Sequence, residues 1–342
     1  MITKALYFPY IETPDEDWFT RVLLFWDAVG TIIPGGLEND SRYVTPRMRE
    51  LREQGLLEDV QPLFDFEKAP AFRDEFLGYL DGDDAVQERG RRPLNDLPVT
   101  KVHLWKLGLL AEDLVARDLA RYSTGAGWEL WLEVEERTAD LFMAYLAVTL
   151  GRLQEVPMDP VTNREQAMAA LLGADTRTGR TLKQAREFRS GFLKGLLPAP
   201  ERSVPAKELA KFKRDHKDEL ASFRDCVNEE LLKAAAFVEA DAQDEQAEIA
   251  LGRLRRERAQ IVALMERRRW PPIVFGSIAG VAAATATVVA PLVVGGGATA
   301  AAFAAPSLIP AAYAALQGTR RAPDVDAKPM AYAALAHQRF GH

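Results

Sequence analysis

Apolar and polar positions in the first third of the chain alternate between the short apolar runs of strands and the three- and four-residue spacing of helices. The strand-like runs are residues 5–11, 31–33 and 100–107. The helix-like stretches between them are residues 15–26 and 45–53. Since strands that alternate with helices are typical of an α/β arrangement, we predict an α/β domain over residues 1–155.

From residue 135 onward the spacing becomes helical, first over residues 135–153 and later from residue 206. One apolar stripe recurs at intervals of three and four residues, and it comprises Leu209, Phe212, His216, Leu220, Phe223, Val227 and Leu231. We therefore predict that residues 206–269 are almost wholly helical. Both one very long helix and an antiparallel hairpin near Ala240 fit this pattern, within a helical domain over residues 156–269.

Charge is segregated along this helical region. Residues 229–248 carry an acidic block, and residues 253–269 carry a basic block. The basic block adjoins a stretch without any charged residue, from Trp270 to Thr319. The arginines that flank this stretch, and that we expect to face anionic lipid, are Arg267, Arg268, Arg269, Arg320 and Arg321.

The uncharged stretch predicts an apolar helical hairpin over residues 270–319. A bilayer core is about 30 Å thick and needs about 20 apolar helical residues. Residues 273–294 meet that length, and residues 298–317 offer a second crossing. Three glycines separate the two arms, disfavour helix and permit a tight reversal. Because basic residues next to a membrane span stay in the cytoplasm, the arginines at the two ends of the hairpin predict that both ends face the cytoplasm. The residues that define the hairpin are Ile273, Phe275, Gly276, Gly280, Val288, Gly295, Gly296, Gly297 and Phe303.

The two arms differ in apolar content. At about −0.3 to −0.6 kcal/mol for each strongly apolar residue, the first arm contributes roughly −3 to −6 kcal/mol and the second roughly −1 to −2.5 kcal/mol. Marginal apolarity suits a hairpin that stays hidden until it is triggered and then inserts. A constitutive membrane anchor and a hairpin that stays buried inside a soluble protein both remain open as alternatives.

Composition narrows the functional classes. The net charge of −7 argues against a nucleic-acid partner, because a binding face for phosphate must be basic. The single cysteine, Cys226, cannot form an internal disulfide, which favours a reducing compartment. The N-terminal residues lack the charged and apolar regions of a signal peptide, so we expect a cytoplasmic protein that is conditionally associated with the inner membrane.

No motif in the chain matches a common catalytic or cofactor signature. The sequence contains no GxGxxG, no GxxxxGK[ST] and no GxSxG, and its histidines and its cysteine lack the spacing of a zinc site. We therefore expect no cofactor and no metal. The one candidate polar site is His103, near the end of a predicted strand, with Glu133 as a partner. An ordinary core or surface histidine is the favoured interpretation of His103.

Two regions carry a resemblance to known proteins. One region resembles a family of uncharacterised bacterial proteins with a domain of unknown function, through Ala5-Leu6-Tyr7-Phe8-Pro9-Tyr10-Ile11, Leu23 to Asp27, Ile32-Ile33-Pro34, Leu197 to Phe212 and Phe223-Arg224. That resemblance implies no activity and transfers no catalytic residue. The apolar hairpin resembles, in composition only, the hydrophobic hairpins of colicins.

Together these patterns predict an α+β, mainly α protein, with the α/β domain first, long helices next, the apolar hairpin after them and a short tail over residues 320–342. The function they favour is a triggered, membrane-inserting or pore-forming effector of a bacterial cytoplasm, toxin-like or active in antiviral defence. Its expected partners are anionic membrane lipid, further copies of the same chain and an unknown activating protein. The alternatives are a soluble enzyme or small-molecule sensor that uses the α/β domain, and an oligomeric scaffold with the hairpin buried.

Overall fold

The computed structural model describes residues 3–13, 16–62, 71–82, 92–124, 130–163, 189–200, 203–235, 240–267 and 328–341. The strands are β1 (Lys4–Tyr7), β2 (Ala28–Ile32), β3 (Leu57–Val60), β4 (Val99–His103), β5 (Ala120–Tyr122), β6 (Trp131–Glu135) and β7 (Met158–Val161). The helices are α1 (Glu16–Phe25), α2 (Pro46–Glu53), α3 (Phe72–Gly82), α4 (Leu104–Leu107), α5 (Leu110–Ala116), α6 (Glu136–Leu153), α7 (Ala206–Asp215), α8 (Lys217–Ala235), α9 (Ala240–Arg267) and α10 (Ala331–Phe340). The fold is α+β and mainly α, as the sequence predicts.

Four strands form a parallel sheet in the order β3-β2-β1-β7. Strand β1 lies in the middle, and its Lys4 is in register with Ala28 on one side and Met158 on the other. Both central strands are buried, which explains why they read as continuous apolar runs. The chain thus builds β2 and β3 on one side of β1 and later adds β7 on the other side.

A second, antiparallel sheet has the order β4-β6-β5. Its central strand, β6, leads directly into α6. The buried carboxylate of Glu135 accepts hydrogen bonds from the backbone N–H groups of Arg137 and Thr138 and so caps that helix. Helix α6 contacts both sheets, with Phe142 and Leu146 fully buried in the core that the two sheets share.

Residues 206–269 are predicted to be almost wholly helical, and helices α7, α8 and α9 confirm this for the residues that the structure describes. Helix α7 is followed by α8 and α9, which pack against each other. Arg253 of α9 forms an ion pair of 2.7 Å with Glu230 of α8, whereas about 35 Å would separate these positions along one continuous helix. Two helices that pack against each other therefore form this region, and the acidic end of α8 meets the beginning of the basic block.

The predicted apolar stripe is buried throughout, from Leu209 in α7 to Leu231 in α8. Phe223 lies at its centre, and its ring packs against the rings of Phe25 in α1 and Tyr332 in α10. His216 is buried in the same core beside Phe212, with 4.7 Å between the ring centroids. The stripe therefore joins the helical part to the first helix of the chain.

Helix α10 occupies the region that the sequence treats as a short tail. Almost every residue from Met330 to Ala336 is fully buried, and the Tyr332 hydroxyl donates a hydrogen bond of 2.7 Å to the backbone oxygen of Leu24. Residues 330–336 are apolar on all faces, as expected of a helical segment in an interior. Helix α10 accordingly packs against both α8 and α9.

The expectation of a transmembrane, pore-forming protein is corrected by the structure. Throughout the ranges given above, no helix is both long enough and apolar enough to cross a membrane. The longest, α9, has 28 residues, but eleven of them are charged, so it cannot supply an apolar span. Residues 273–317, which prompted the expectation, lie outside the described residues.

Candidate functional site

A cavity of about 510 Å³ opens at the carboxyl edge of the parallel sheet. Its wall includes Tyr7 at the end of β1, the loop from Pro9 to Thr13 and Asn163 just after β7. These segments flank the point at which the strand order reverses, since β2 and β7 lie on opposite sides of β1. Open parallel sheets bind ligands at this kind of position, beyond the carboxyl ends of the strands on either side of the reversal.

The opposite wall comes from β4, β6, α4 and α6. Strand β4 ends at His103, because the imidazole Nδ1 accepts a hydrogen bond of 3.3 Å from the backbone N–H of Trp105 and so caps the short helix α4. The sequence predicts a strand over residues 100–107, and this local cap turns its second half into helix. As a result, Lys106 lies three residues beyond the cap and lines the cavity.

Lys106 is the most unusual residue of the cavity. Only 5% of it is exposed, and its Nζ donates one long hydrogen bond of 3.4 Å to the backbone oxygen of Pro9. It makes no ion pair with any residue that the structure describes. Burial lowers the pKa of Lys106 to about 7, because an ammonium loses its hydration when it is enclosed. Near neutral pH, a large share of these side chains is therefore a neutral amine.

His103 also lines the cavity and is 2% exposed. Burial and the charge of Lys106 together lower the pKa of His103 to about 4, so the imidazole is neutral at physiological pH. Since Nδ1 accepts a hydrogen bond, the network assigns the ring proton to Nε2. The ring packs edge-on against Trp131, with 5.0 Å between the centroids.

Glu133, which the sequence suggests as the partner of His103, is not among the residues that line the cavity. Its carboxylate accepts a hydrogen bond of 2.7 Å from Nε of Arg121 on the neighbouring strand β5. In the antiparallel register, Glu133 lies opposite Lys101, whereas His103 lies opposite Trp131. The structure thus brings His103 to the cavity together with Lys106, a residue that the sequence does not single out.

Aromatic and acidic side chains complete the cavity. Tyr43 and Trp131 lie with their rings 5.6 Å apart and inclined by 30°, which forms a flat apolar wall. Tyr7 adds a third ring, and the charged residues Glu12, Lys101 and Asp140 also belong to the lining. This arrangement suits a small organic molecule with a flat apolar part and an oxygen atom that can accept a hydrogen bond from Lys106.

Lys213, the second buried lysine, has the complete hydrogen bonding expected of a lysine with a structural role. Burial and the nearby charge of Arg224 lower the pKa of Lys213 to about 7. Its Nζ, however, donates hydrogen bonds to the backbone oxygens of Trp26 and Asp27. Arg224 adds a hydrogen bond of 2.5 Å to the oxygen of Phe25. These two side chains satisfy the carbonyls at the end of α1, where cations are favourable.

Several predicted residues cannot be placed in a site. Arg267 is the last residue of α9, and the other flanking arginines, Arg268, Arg269, Arg320 and Arg321, lie outside the described residues. The same holds for the hairpin residues Ile273, Phe275, Gly276, Gly280, Val288, Gly295, Gly296, Gly297 and Phe303. Among the residues that are described, no group of three or more histidine, cysteine or acidic side chains is arranged to hold a metal ion.

These features define an α+β protein with a cavity at the switch point of a parallel sheet. The chain belongs to a family of unknown function, DUF6236, whose model matches residues 116–341. The predicted membership of a family with a domain of unknown function is thereby confirmed. The matched region includes β5 to β7 and the helices from α6 to α10, whereas the opening motif and Lys106 precede it. No curated protein and no solved structure matches the chain.

Proposed function

We propose that this protein binds a small organic molecule in the switch-point cavity, through an oxygen atom of the ligand that accepts a hydrogen bond from Nζ of Lys106. This is the enzyme or small-molecule sensor that the sequence leaves open as an alternative. The observation that carries the proposal is the incomplete hydrogen bonding of Lys106, at a place where parallel sheets bind their ligands.

The energetic argument rests on the cost of an unsatisfied amine. A buried polar group that lacks a partner costs about 1–3 kcal/mol, and a buried charge costs more. Lys213 avoids this cost with two backbone acceptors, and Lys106 has one distant acceptor. A ligand oxygen next to Lys106 supplies the missing acceptor and replaces the lost hydration.

Size and lining agree with a small metabolite. The cavity volume of about 510 Å³ lies within the range of about 300–1,000 Å³ that is typical of ligand pockets. Tyr7, Tyr43 and Trp131 offer apolar surface for a ring or a short chain, and polar side chains such as His103 and Lys106 lie beside them. Pockets of this kind obtain affinity from apolar contact and selectivity from a small number of polar contacts.

The test is a thermal-shift screen of the purified protein against small carboxylates, aldehydes and ketones, with two matched variants. Lys106→Met removes the amine in the cavity, and Lys213→Met removes the buried amine at the end of α1. We expect a ligand that raises the melting temperature of the wild-type protein and of Lys213→Met, each relative to its own unliganded form, but not that of Lys106→Met. Equal stabilisation of Lys106→Met, or no stabilising compound in the panel, would contradict the proposal.

A further inference from the structure

We infer that Lys106 reacts with the carbonyl carbon of an aldehyde or ketone in the cavity and holds the compound as an imine. The inference rests on the proposed function, because the carbonyl compound must first enter the cavity beside Nζ. It names the substrate class of that site and adds a covalent step that simple binding does not include.

The surroundings of Nζ leave the amine available for reaction. Its hydrogen bond to Pro9 is 3.4 Å long, and no carboxylate among the described residues pairs with it. An ion pair would hold the nitrogen as an ammonium, which has no lone pair and cannot act as a nucleophile. Lys213 differs because two backbone oxygens hold its Nζ against the end of α1.

The electrostatics of the cavity support the same chemistry. With a pKa of about 7, about half of the Lys106 side chains are neutral at pH 7, against fewer than about one in a thousand for an exposed lysine. Desolvation in an apolar pocket is one of the standard ways in which proteins activate the amine of a lysine for imine formation. The nucleophile is therefore present at physiological pH without a separate base.

The step balances within the cavity. The lone pair of Nζ forms a bond to the carbonyl carbon, the electron pair of the C=O bond moves to oxygen, and a proton passes from nitrogen to oxygen. The resulting carbinolamine loses its hydroxyl group with one proton as water, which leaves a C=N bond. Amine and carbonyl compound thus give imine and water, with no change in oxidation state and no further reactant.

The experiment uses propanal as the probe, because it is far smaller than the cavity and a negative result cannot reflect its size. The full chain is incubated with propanal and sodium cyanoborohydride near pH 7, and each modified lysine is identified by peptide mass mapping. We expect Lys106 to be propylated at least about tenfold faster than an exposed lysine such as Lys211. The fast phase should vanish in Lys106→Met and persist in Lys213→Met.

The two experiments together distinguish failure of this inference from failure of the proposed function. If carbonyl compounds stabilise the wild-type protein through Lys106 but propylation of Lys106 is no faster than that of Lys211, the imine is refuted and the binding function stands. If neither stabilisation nor fast propylation depends on Lys106, both are refuted. Fast, reductant-dependent modification at Lys106 supports both.

Discussion

Replacement of Phe223 by alanine tests how strongly the helical part is joined to the α/β part. Phe223 lies in α8, is 0% exposed and contacts rings from two other elements. Its centroid is 5.9 Å from that of Phe25 in an edge-on arrangement and 5.8 Å from that of Tyr332 in a stacked one. The substitution therefore removes apolar burial and two aromatic contacts in one step.

The expected loss follows from these contacts. Truncation of a buried phenylalanine to alanine costs about 3–5 kcal/mol, and the cost is higher where rigid neighbours cannot close the cavity. Aromatic pairs add about 0.5–1.5 kcal/mol beyond area burial. We therefore expect the free energy of unfolding to fall by about 4–5 kcal/mol, which is a change of roughly a thousandfold or more in the unfolding equilibrium.

Urea denaturation followed by far-ultraviolet circular dichroism measures this change. Leu232→Ala is the matched control, because Leu232 lies in the same helix and is 72% exposed. We expect the control to change the free energy of unfolding by less than about 0.5 kcal/mol. If Phe223→Ala shifts the transition no more than Leu232→Ala does, the assignment of Phe223 to the shared core is wrong.

Three further predictions concern a buried hydrogen bond, a helix cap and two buried lysines. Tyr332→Phe should lower the free energy of unfolding by about 1–3 kcal/mol, since it leaves the buried oxygen of Leu24 without its donor; an unchanged urea midpoint would contradict this. Glu135→Ala should cost about 1–2 kcal/mol by removing the cap of α6, and a variant as stable as the wild type would show that the cap contributes nothing. Between about pH 7 and pH 9, stability should rise with pH, because Lys106 and Lys213 have lowered pKa values of about 7 when folded and 10.5 when unfolded, so that the unfolded chain binds more protons. Each lysine contributes at most about 1.4 kcal/mol per pH unit to the free energy of unfolding. Lys213→Met should therefore reduce the slope of that free energy against pH. An unaltered slope would show that the pKa of Lys213 is not lowered in the folded protein.

The elements that the sequence predicts well are those with a repeated pattern. The strand around Ala5 to Tyr7, the helix that ends at Leu153 and the stripe through Phe223 all appear where apolar spacing places them. Strand β7 has no such signal, because Asp159 and Pro160 interrupt it and four residues are too few to show a period. Pro160 is tolerated there because β7 has a neighbour on one side only within the described sheet.

Lys106, unlike His103, is not predicted as a site residue, for a different reason. Lys106 is the only charged residue in Val102 to Leu110, which is a visible signal, but its significance depends on where Pro9 lies. Pro9 is 97 residues away in the chain, and local spacing carries no information about that approach. Glu133 does not line the cavity with His103, because the two residues occupy different positions of the β4–β6 register.

The position of helix α10 late in the chain delays the completion of the helical core during synthesis. This helix is synthesised after all the other described elements, yet Tyr332 and its neighbours fill the space between α1, α8 and α9. Until α10 emerges, the apolar sides of those helices have no permanent cover, and a nascent chain that exposes them is a natural client for chaperones. A shortened protein that ends near residue 269 would remain in that immature condition permanently. Any experiment that removes the segment after α9 should therefore delete it internally and keep residues 328–341 attached.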